Sequence, residues 1–407
     1  MQNVIIEKPY EFVPPHRGTF WSSVIQKFGL QLRHLRRKEG VESYEIRHAE
    51  RLKQSLAAGH GILLTPNHVR TADPVVLGWL AQELGCHFYA MASWHLFNQG
   101  NFLRWAIRRM GAFSVNREGV DRQAITTATE ILESGERPLI IFPEGTTTRT
   151  NDRLQALLDG VAFIARSAAK KRARAEPATK VVVHPIAIKY LFRGDLHAAV
   201  DPVLADIEHR LTWQPQRDVP LIQRIGKIGL GLLSLKELEH LGRTQTGSLS
   251  ERLRSLIEEI MQPLEKEWFS SAQTGGIVPR VKALRMKILP EMVTGSIDAA
   301  ERDRRWKQLA NIYLAQQLAC YPPDYLAQPT VTRILEMVER FEEDITDKCR
   351  VHGKLHAVIE VDEAIEVSPD RDRKAASDPL MVAIEQRLQT MLDRLATESP
   401  VWKENGR

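Results

Sequence analysis

Residues 63–80 read LLTPNHVRTADPVVLGWL, and the fold of the first half of the chain turns on them. An apolar run that breaks into Pro66, Asn67 and His68 has the form of a buried strand reaching the edge of a sheet. Asp73-Pro74 close behind marks a helix start, because a carboxylate accepts hydrogen bonds from free backbone N–H groups and proline is pre-set for the first helical position. A strand end followed at once by a helix start leaves its loop in the crevice of an open α/β sheet, where ligands bind. On one continuous helix His68 and Asp73 would stand about 140° apart. Their side chains can meet only if His68 lies on the loop, and Asp73 is otherwise no more than a cap.

Outward from this stretch, GILL (61–64), PLIIF (138–142) and KVVVHPIAI (180–188) are short apolar runs ending in polar clusters, as buried strands do. Helical patterns lie between them at 74–84, 101–110, 120–134 and 154–170. Strands alternating with helices predict an α/β domain, a mainly parallel central sheet flanked by helices, closing near residue 200. Upstream, Pro9, Pro14 and Pro15 mark an extended arm. Phe20, Trp21, Val24, Ile25, Phe28, Leu32 and Leu35 then recur at helical spacing beside Lys27, Arg33, Arg36 and Arg37, which predicts an amphipathic basic helix suited to a membrane surface. Beyond residue 215 long helical segments follow, with one strand pair at HAVIEVDEAIEVSP (356–369) and no internal repeat. The expected organisation is an arm and amphipathic helix over 1–50, an α/β domain over 51–215, and a mostly helical region over 216–407.

At 407 residues, 43% hydrophobic and 26% charged, the chain has the composition of a globular protein. Cys86, Cys320 and Cys349 are few and far apart, which encodes neither a disulfide framework nor a zinc ribbon. No stretch has the length and apolarity of a membrane span, and no signal-peptide pattern opens the sequence, so a cytoplasmic location with peripheral membrane contact is expected. Residues 1–200 hold 27 Lys/Arg against 18 Asp/Glu, a charge of +9 in a chain of net +5. A positive first half suits an anionic partner, phosphate-bearing lipid or nucleic acid. Nucleic acid is disfavoured because the basic half lacks aromatic interleaving and any helix-turn-helix pattern.

Two further stretches carry chemistry. A carboxylate bonded to one ring nitrogen of an imidazole fixes its tautomer and leaves the other nitrogen as a general base. No Gly-x-Ser-x-Gly elbow supplies a serine for that base, so the hydroxyl it would deprotonate belongs to a substrate. FPEGTTTR (142–149) gathers Glu144, Gly145, Thr146 and Arg149 in a turn suited to an anion or polar head group, and GAFSVNR (111–117) delivers Arg117, whose guanidinium matches phosphate.

In this order NHVRTAD, GAFSVNR, FPEGTTTR and VVVHPIAI resemble the four sequence blocks of the glycerolipid acyltransferases, the PlsC-type group that includes glycerol-3-phosphate and lysophosphatidate acyltransferases. The resemblance covers roughly residues 50–200. It implies transfer of an acyl group from a thioester of coenzyme A or acyl carrier protein, with no further cofactor and no metal. His68 is then the base and Asp73 its partner. Asn67, Arg117, Glu144, Gly145, Thr146 and Arg149 would serve acceptor binding. Two positions depart from the family pattern. Thr147 and Thr148 precede Arg149, displacing the arginine by two places, and Asp159-Gly160 stands where a Lys-Gly is common. The competing expectation is a non-catalytic lipid- or partner-binding protein that keeps the fold as a scaffold. Neither reading specifies an oligomeric state. His352 and His356 have the spacing of a helical metal pair, but Gly353 interrupts them and no acidic motif completes a site. GKIGLGLLSL (226–235) lacks the third glycine of a dinucleotide loop and reads as a packed or lipid-facing helix. RSAAKKRARAE (166–176) is a basic run that could touch anionic head groups or be a solvated helix end.

Overall fold

The computed structural model describes residues 6–175, 179–321, 324–348, 350–371 and 377–404; Cys349 and the last residue of the basic run at 166–176 lie outside them. The chain divides into two compact units, one of residues 10–193 with 354–398 and one of residues 194–353 with both terminal segments.

The first unit is the sheet unit. Its chain runs through α1 (Phe20–Lys27), α2 (Leu30–Lys38), β1 (Val41–Arg47), α3 (Ala49–Ala57), β2 (Gly61–Pro66), α4 (Asp73–Glu83), β3 (Tyr89–Ser93), α5 (Asn101–Arg109), β4 (Ala112–Val115), α6 (Arg122–Ser134), β5 (Leu139–Ile140), α7 (Gly160–Arg172) and β6 (Val181–Phe192). The second unit contributes α8 (Leu196–Arg210), α9 (Leu221–Leu241), α10 (Leu249–Phe269), α11 (Ile277–Thr294), α12 (Ala299–Ala319) and α13 (Val331–Thr346). The chain then returns to the sheet with β7 (Leu355–Val361), β8 (Ile365–Glu366) and α14 (Pro379–Ala396).

Strands lie in the order β1-β7-β6-β2-β5-β3-β4, with β8 also on β6. The block β6-β2-β5-β3-β4 is parallel throughout, and β7 and β8 meet β6 antiparallel. The mainly parallel sheet between helices is therefore as the sequence implies. Every residue of β6 is buried, because both faces are covered. On one face Val181, Val183, Ala187 and Leu191 join Leu132 of α6, Ala165 of α7 and Leu388 of α14 in one core. Each fully buried Leu or Ile there contributes about 1.5–3 kcal/mol. The alternate residues His184 and Tyr190 face the other way, where they hydrogen-bond to Ser55 of α3 and Asp73 of α4.

Several expectations are corrected. The N-terminal helix is two helices, because Gly29 turns the chain with φ +59 between them. The α/β unit begins before residue 51, since β1 is a strand of the sheet, and it ends at 193 rather than 215. The residues 354–398 return to it, so the third expected region is not one body. The two strands of 356–369 do not pair with each other: both add to β6, and β7 also adds to β1. The pattern at 154–170 becomes helix only from Gly160, because the preceding residues are held by the loop around Glu144.

The helical unit holds a repeat that the sequence reading did not find. Glu208, Glu237 and Glu265, near the ends of α8, α9 and α10, are all buried. Each accepts the backbone N–H of the glutamine eight residues on, Gln216, Gln245 or Gln273, at 3.1, 2.9 and 2.9 Å. Each also takes a bidentate arginine from the next helix, Arg224, Arg252 or Arg280, at 2.7–3.0 Å. The same three-part joint thus links α8 to α9, α9 to α10 and α10 to α11. Leu256, Ile260, Leu284, Ile288, Leu309 and Ile312 form the apolar core of α10, α11 and α12.

Candidate active site

β2 ends at Pro66, paired with Ile186 of β6. The chain then leaves the sheet, but Asn67 keeps hold of it: its amide donates to Ile188 O at 3.0 Å and accepts from Ile188 N at 2.7 Å. Asn151 does the same one rung further, donating to Tyr190 O at 3.2 Å and accepting from Tyr190 N at 2.8 Å. Two side-chain amides therefore continue the ladder along β6 after β2 has turned away.

The turn delivers His68 to Asp73. Asp73 is the first residue of α4 rather than its N-cap, which is Ala72. Its Oδ2 lies 2.8 Å from His68 Nδ1 and also accepts the Arg70 N–H at 3.0 Å. Its Oδ1 accepts from the Tyr190 hydroxyl at 2.5 Å. A carboxylate only accepts, so the His68 proton sits on Nδ1 and Nε2 keeps its lone pair. The imidazole stacks on Phe142 at 4.0 Å between centroids and 25° between planes. Its side chain remains 17% exposed beside a wholly buried Asp73, and Nε2 has no hydrogen-bond partner among the described residues.

Behind the histidine lies Glu144, also buried. One oxygen accepts the His68 N–H at 2.7 Å and the other the Gln155 N–H at 2.8 Å. Burial pushes its carboxyl up to about 8 against the pull of those two N–H groups, and the charge of Asp73 adds to the rise. The loop is fastened further by Thr148 N to His68 O at 2.9 Å and Arg149 N to Val69 O at 3.0 Å. Gly145 has φ +67, and a Cβ there would meet Leu158 Cδ1 at 2.6 Å. Arg149 takes the left-handed conformation too, with φ +59.

The structure thus brings Asn67, His68, Asp73, Glu144 and Gly145 into one cluster, but it changes the role expected for two of them. Asn67 and Glu144 were expected to meet substrate. Both are buried with their polar groups committed to backbone, so they position the loop rather than touch an acceptor. Thr146 and Arg149 are partly exposed on that loop. Arg117 follows the end of β4 at the same edge, where parallel strands finish together. β4 lies three strand spacings from β2 in the sheet order, about 14 Å. His352 and His356 do not act as a pair, since His352 meets Glu342 and His356 Nδ1 lies 2.8 Å from Ser43 Oγ. A separate cavity of about 430 Å³ is lined by Asp159, Phe163, Arg166, Lys170 and Asp370 rather than by this cluster.

Sequence reasoning missed Tyr190, Phe142 and Asn151. Tyr190 had a signal: it is a phenol two residues past the point where the pattern was cut at Ile188, in a buried strand and on the same face as His184 and Ile188.

Comparison with known proteins adds to this geometry. Residues 44–189 match the model of the Acyltransferase family. A 1-acyl-sn-glycerol-3-phosphate acyltransferase of Streptococcus pneumoniae (strain ATCC BAA-255 / R6) is 35% identical over 107 residues, which are 26% of this chain. The chain spans 37% of that relative's length. Among solved structures, the 1-acyl-sn-glycerophosphate (LPA) acyltransferase PlsC of Thermotoga maritima is 17% identical, with a TM-score of 0.27 over 40% of this chain and 56% of that one.

Proposed function

We propose that the chain, whose residues 44–189 match the model of the Acyltransferase family, moves a fatty acyl group from acyl-CoA or acyl carrier protein to a hydroxyl of a glycerol-phosphate or lysophospholipid acceptor. The observation that carries this reading is the His68 Nδ1–Asp73 Oδ2 contact of 2.8 Å, on a partly exposed side chain whose Nε2 has no partner among the described residues.

Nε2 takes the proton of the acceptor hydroxyl as its oxygen adds to the thioester carbonyl. Asp73 stabilises the imidazolium as it forms. The tetrahedral oxyanion then collapses, the C–S bond breaks, and the departing sulfur leaves as thiolate or takes the proton from Nε2. A thiolate is a good leaving group, so the reaction as written draws on nothing beyond the two substrates. Arg117, three strands along the sheet edge from β2, would pair with the acceptor's phosphate. Thr146 and Arg149, partly exposed on the loop after β5, would supply further contacts to the acceptor. Among the described residues no helix is long and apolar enough to cross a membrane. The enzyme would act peripherally, on the cytoplasmic face of a lipid surface. The name of the pneumococcal relative supports the acceptor class.

The test is thiol release from long-chain acyl-CoA and acyl carrier protein against a panel of lysophospholipids and glycerol 3-phosphate. His68→Ala is expected to abolish transfer while circular dichroism and melting stay near those of the parent protein. Unchanged turnover by that variant refutes the mechanism. No thiol release by the parent protein with any pair favours the scaffold reading.

A further inference from the structure

Asp73 has two carboxylate oxygens, and the reaction proposed above uses one of them. The other, Oδ1, accepts from the Tyr190 hydroxyl at 2.5 Å. That length is typical of an O–H group on a charged oxygen, a bond roughly twice as strong as one between neutral groups. Both side chains are wholly buried. A phenylalanine would fill nearly the same space, and burying a hydroxyl costs free energy unless it is bonded. What the phenol adds at this position is the bond to Asp73.

Tyr190 is anchored in a rigid element, whereas the rest of the cluster stands on loops. It lies within β6 beside Ala357 of β7, and Asn151 binds both its backbone N–H and its carbonyl. His68 and Arg70 stand on the turn after β2, and Glu144 and Arg149 on the loop after β5. A carboxylate bonded at one oxygen to a strand and at the other to a turn has its plane fixed, and with it the direction in which Oδ2 meets His68 Nδ1. Burial first, and then the charge of Asp73, hold the phenol well above its ordinary value. Tyr190 therefore keeps its proton near neutral pH and is always a donor there.

Other charged groups face the pair from three sides. The Arg70 guanidinium carbon lies 5.5 Å from the centre of the Tyr190 ring. Glu39, the C-cap of α2, and Glu144 are both raised by burial, and His34, Arg70 and Arg149 ease the rise of Glu39. All of these groups remain when the oxygen of Tyr190 is removed, so that oxygen can be tested by itself.

We propose that Tyr190 is a positioning residue of the acyl-transfer site, acting on His68 through Asp73: its hydroxyl fixes the carboxylate and takes up part of its negative charge. The inference rests on the reading of His68 as the base. A carboxylate beside an imidazole favours the imidazolium, and a carboxylate that already serves a strong donor favours it less. The phenol thus loosens the hold of Asp73 on the proton that His68 must first take from the acceptor and then release.

Tyr190→Phe is compared with the parent protein and with a protein in which fluorotyrosine, a stronger donor of nearly the same shape, replaces Tyr190. Two quantities are followed in each: the pH dependence of kcat/KM for thiol release from acyl-CoA, and the ¹⁵N titration of His68 without substrate. Tyr190→Phe is expected to move the acid limb of kcat/KM and the His68 midpoint up by about one pH unit, a part of the shift that a neighbouring charge can cause. KM is expected to stay as it is, because the side chain is buried and meets no substrate. Fluorotyrosine is expected to move both quantities the other way, and in an Asp73→Asn background Tyr190→Phe is expected to move neither. A rate lowered equally at every pH with the midpoint unmoved, or shifts of one sign in the phenylalanine and fluorotyrosine proteins, overturns the proposal. So does a full shift in the Asp73→Asn background. If Tyr190→Phe does not fold, an unmoved midpoint in the fluorotyrosine protein overturns it alone. A midpoint that moves as expected in a protein that releases no thiol upholds the coupling of Tyr190 to His68 and refutes the acyl-transfer reading instead.

Discussion

Asp73→Asn is the substitution on which the site geometry speaks most directly. In many histidine–carboxylate pairs an asparagine turns its NH₂ to the imidazole and forces the wrong tautomer, at a cost of about 10⁴ in rate. Here the surroundings of Asp73 choose the orientation. Oδ2 receives two donors, His68 Nδ1–H and Arg70 N–H, and Oδ1 receives one, the Tyr190 hydroxyl. An amide oxygen in the place of Oδ2 keeps both of its donors. The NH₂ then faces a hydroxyl that can turn its proton aside and accept. The reverse orientation sets NH₂ against the Arg70 N–H, which cannot accept anything. The proton therefore stays on Nδ1, and what is lost is the negative charge. Between charge centres about 4 Å apart at an effective dielectric near 20, that charge stabilises the imidazolium by about 4 kcal/mol, so the rate should fall about 10²- to 10³-fold. Single-turnover thiol release measures the loss, and ¹⁵N NMR of His68 reports the tautomer. A loss of 10⁴ or more in a folded protein with the proton moved to Nε2 would refute the orientation argument. A loss under tenfold would refute the role of the charge.

Other consequences are open to measurement. Arg117→Ala should raise KM for phosphate-bearing acceptors by about ten- to a hundredfold and change little for an uncharged monoacylglycerol; equal effects on both would remove Arg117 from the phosphate site. Gly145→Ala places a side chain in the left-handed region and against Leu158, so it should cost about 1–2 kcal/mol from the backbone alone, read as a lowered urea midpoint. His184 is buried between Ser55 Oγ at 2.9 Å and Asp362 O at 2.8 Å, and burial, with Arg51 nearby, holds its imidazole below the ordinary 6.5. The unfolded chain therefore takes up that proton first as pH falls past 6.5, and stability should drop on the acid side of that value; His184→Gln should flatten the slope between pH 7 and 5. Arg280→Met leaves buried Glu265 without its cation and should cost about 3–5 kcal/mol, while Arg280→Met with Glu265→Leu should recover most of it.

The site was legible where chemistry is local in the chain. Asn67, His68 and Asp73 stand within one turn, and a strand pattern followed by Asp-Pro was enough to expect the imidazole–carboxylate contact that the fold makes. Glu144 was legible as part of the site but not in its role, because burial decides that role and burial depends on the whole loop from 143 to 158. Tyr190 lay beyond reach for a different reason: its partner is 117 residues away, and only the register of β6 against β2 brings them together. The sheet was legible in its middle and poorly at its margin. β2 and the first part of β6 are mostly apolar and wholly buried, whereas β1, VESYEIR, has one buried residue in seven and carries no such signature. β7 was seen as an alternating strand, yet it is buried on both faces, since its place between β1 and β6 is set by chain return after a whole helical unit. The repeated joint of that unit escaped because only the glutamate, the glutamine and the arginine recur in all three copies, with a Gln-Thr-Gly shared by the second and third alone.

The two asparagine rungs on β6 have a consequence away from catalysis. Where β2 turns off, the even-numbered backbone groups of β6 would otherwise lie bare along a buried, strongly apolar strand, a template for any extended peptide that reached it. Asn67 and Asn151 occupy those groups with side chains, which can pair with an edge but cannot pass the pairing on. The growth of the sheet is stopped beside His68, and a protein that loses Asn151 should show its fault first as self-association.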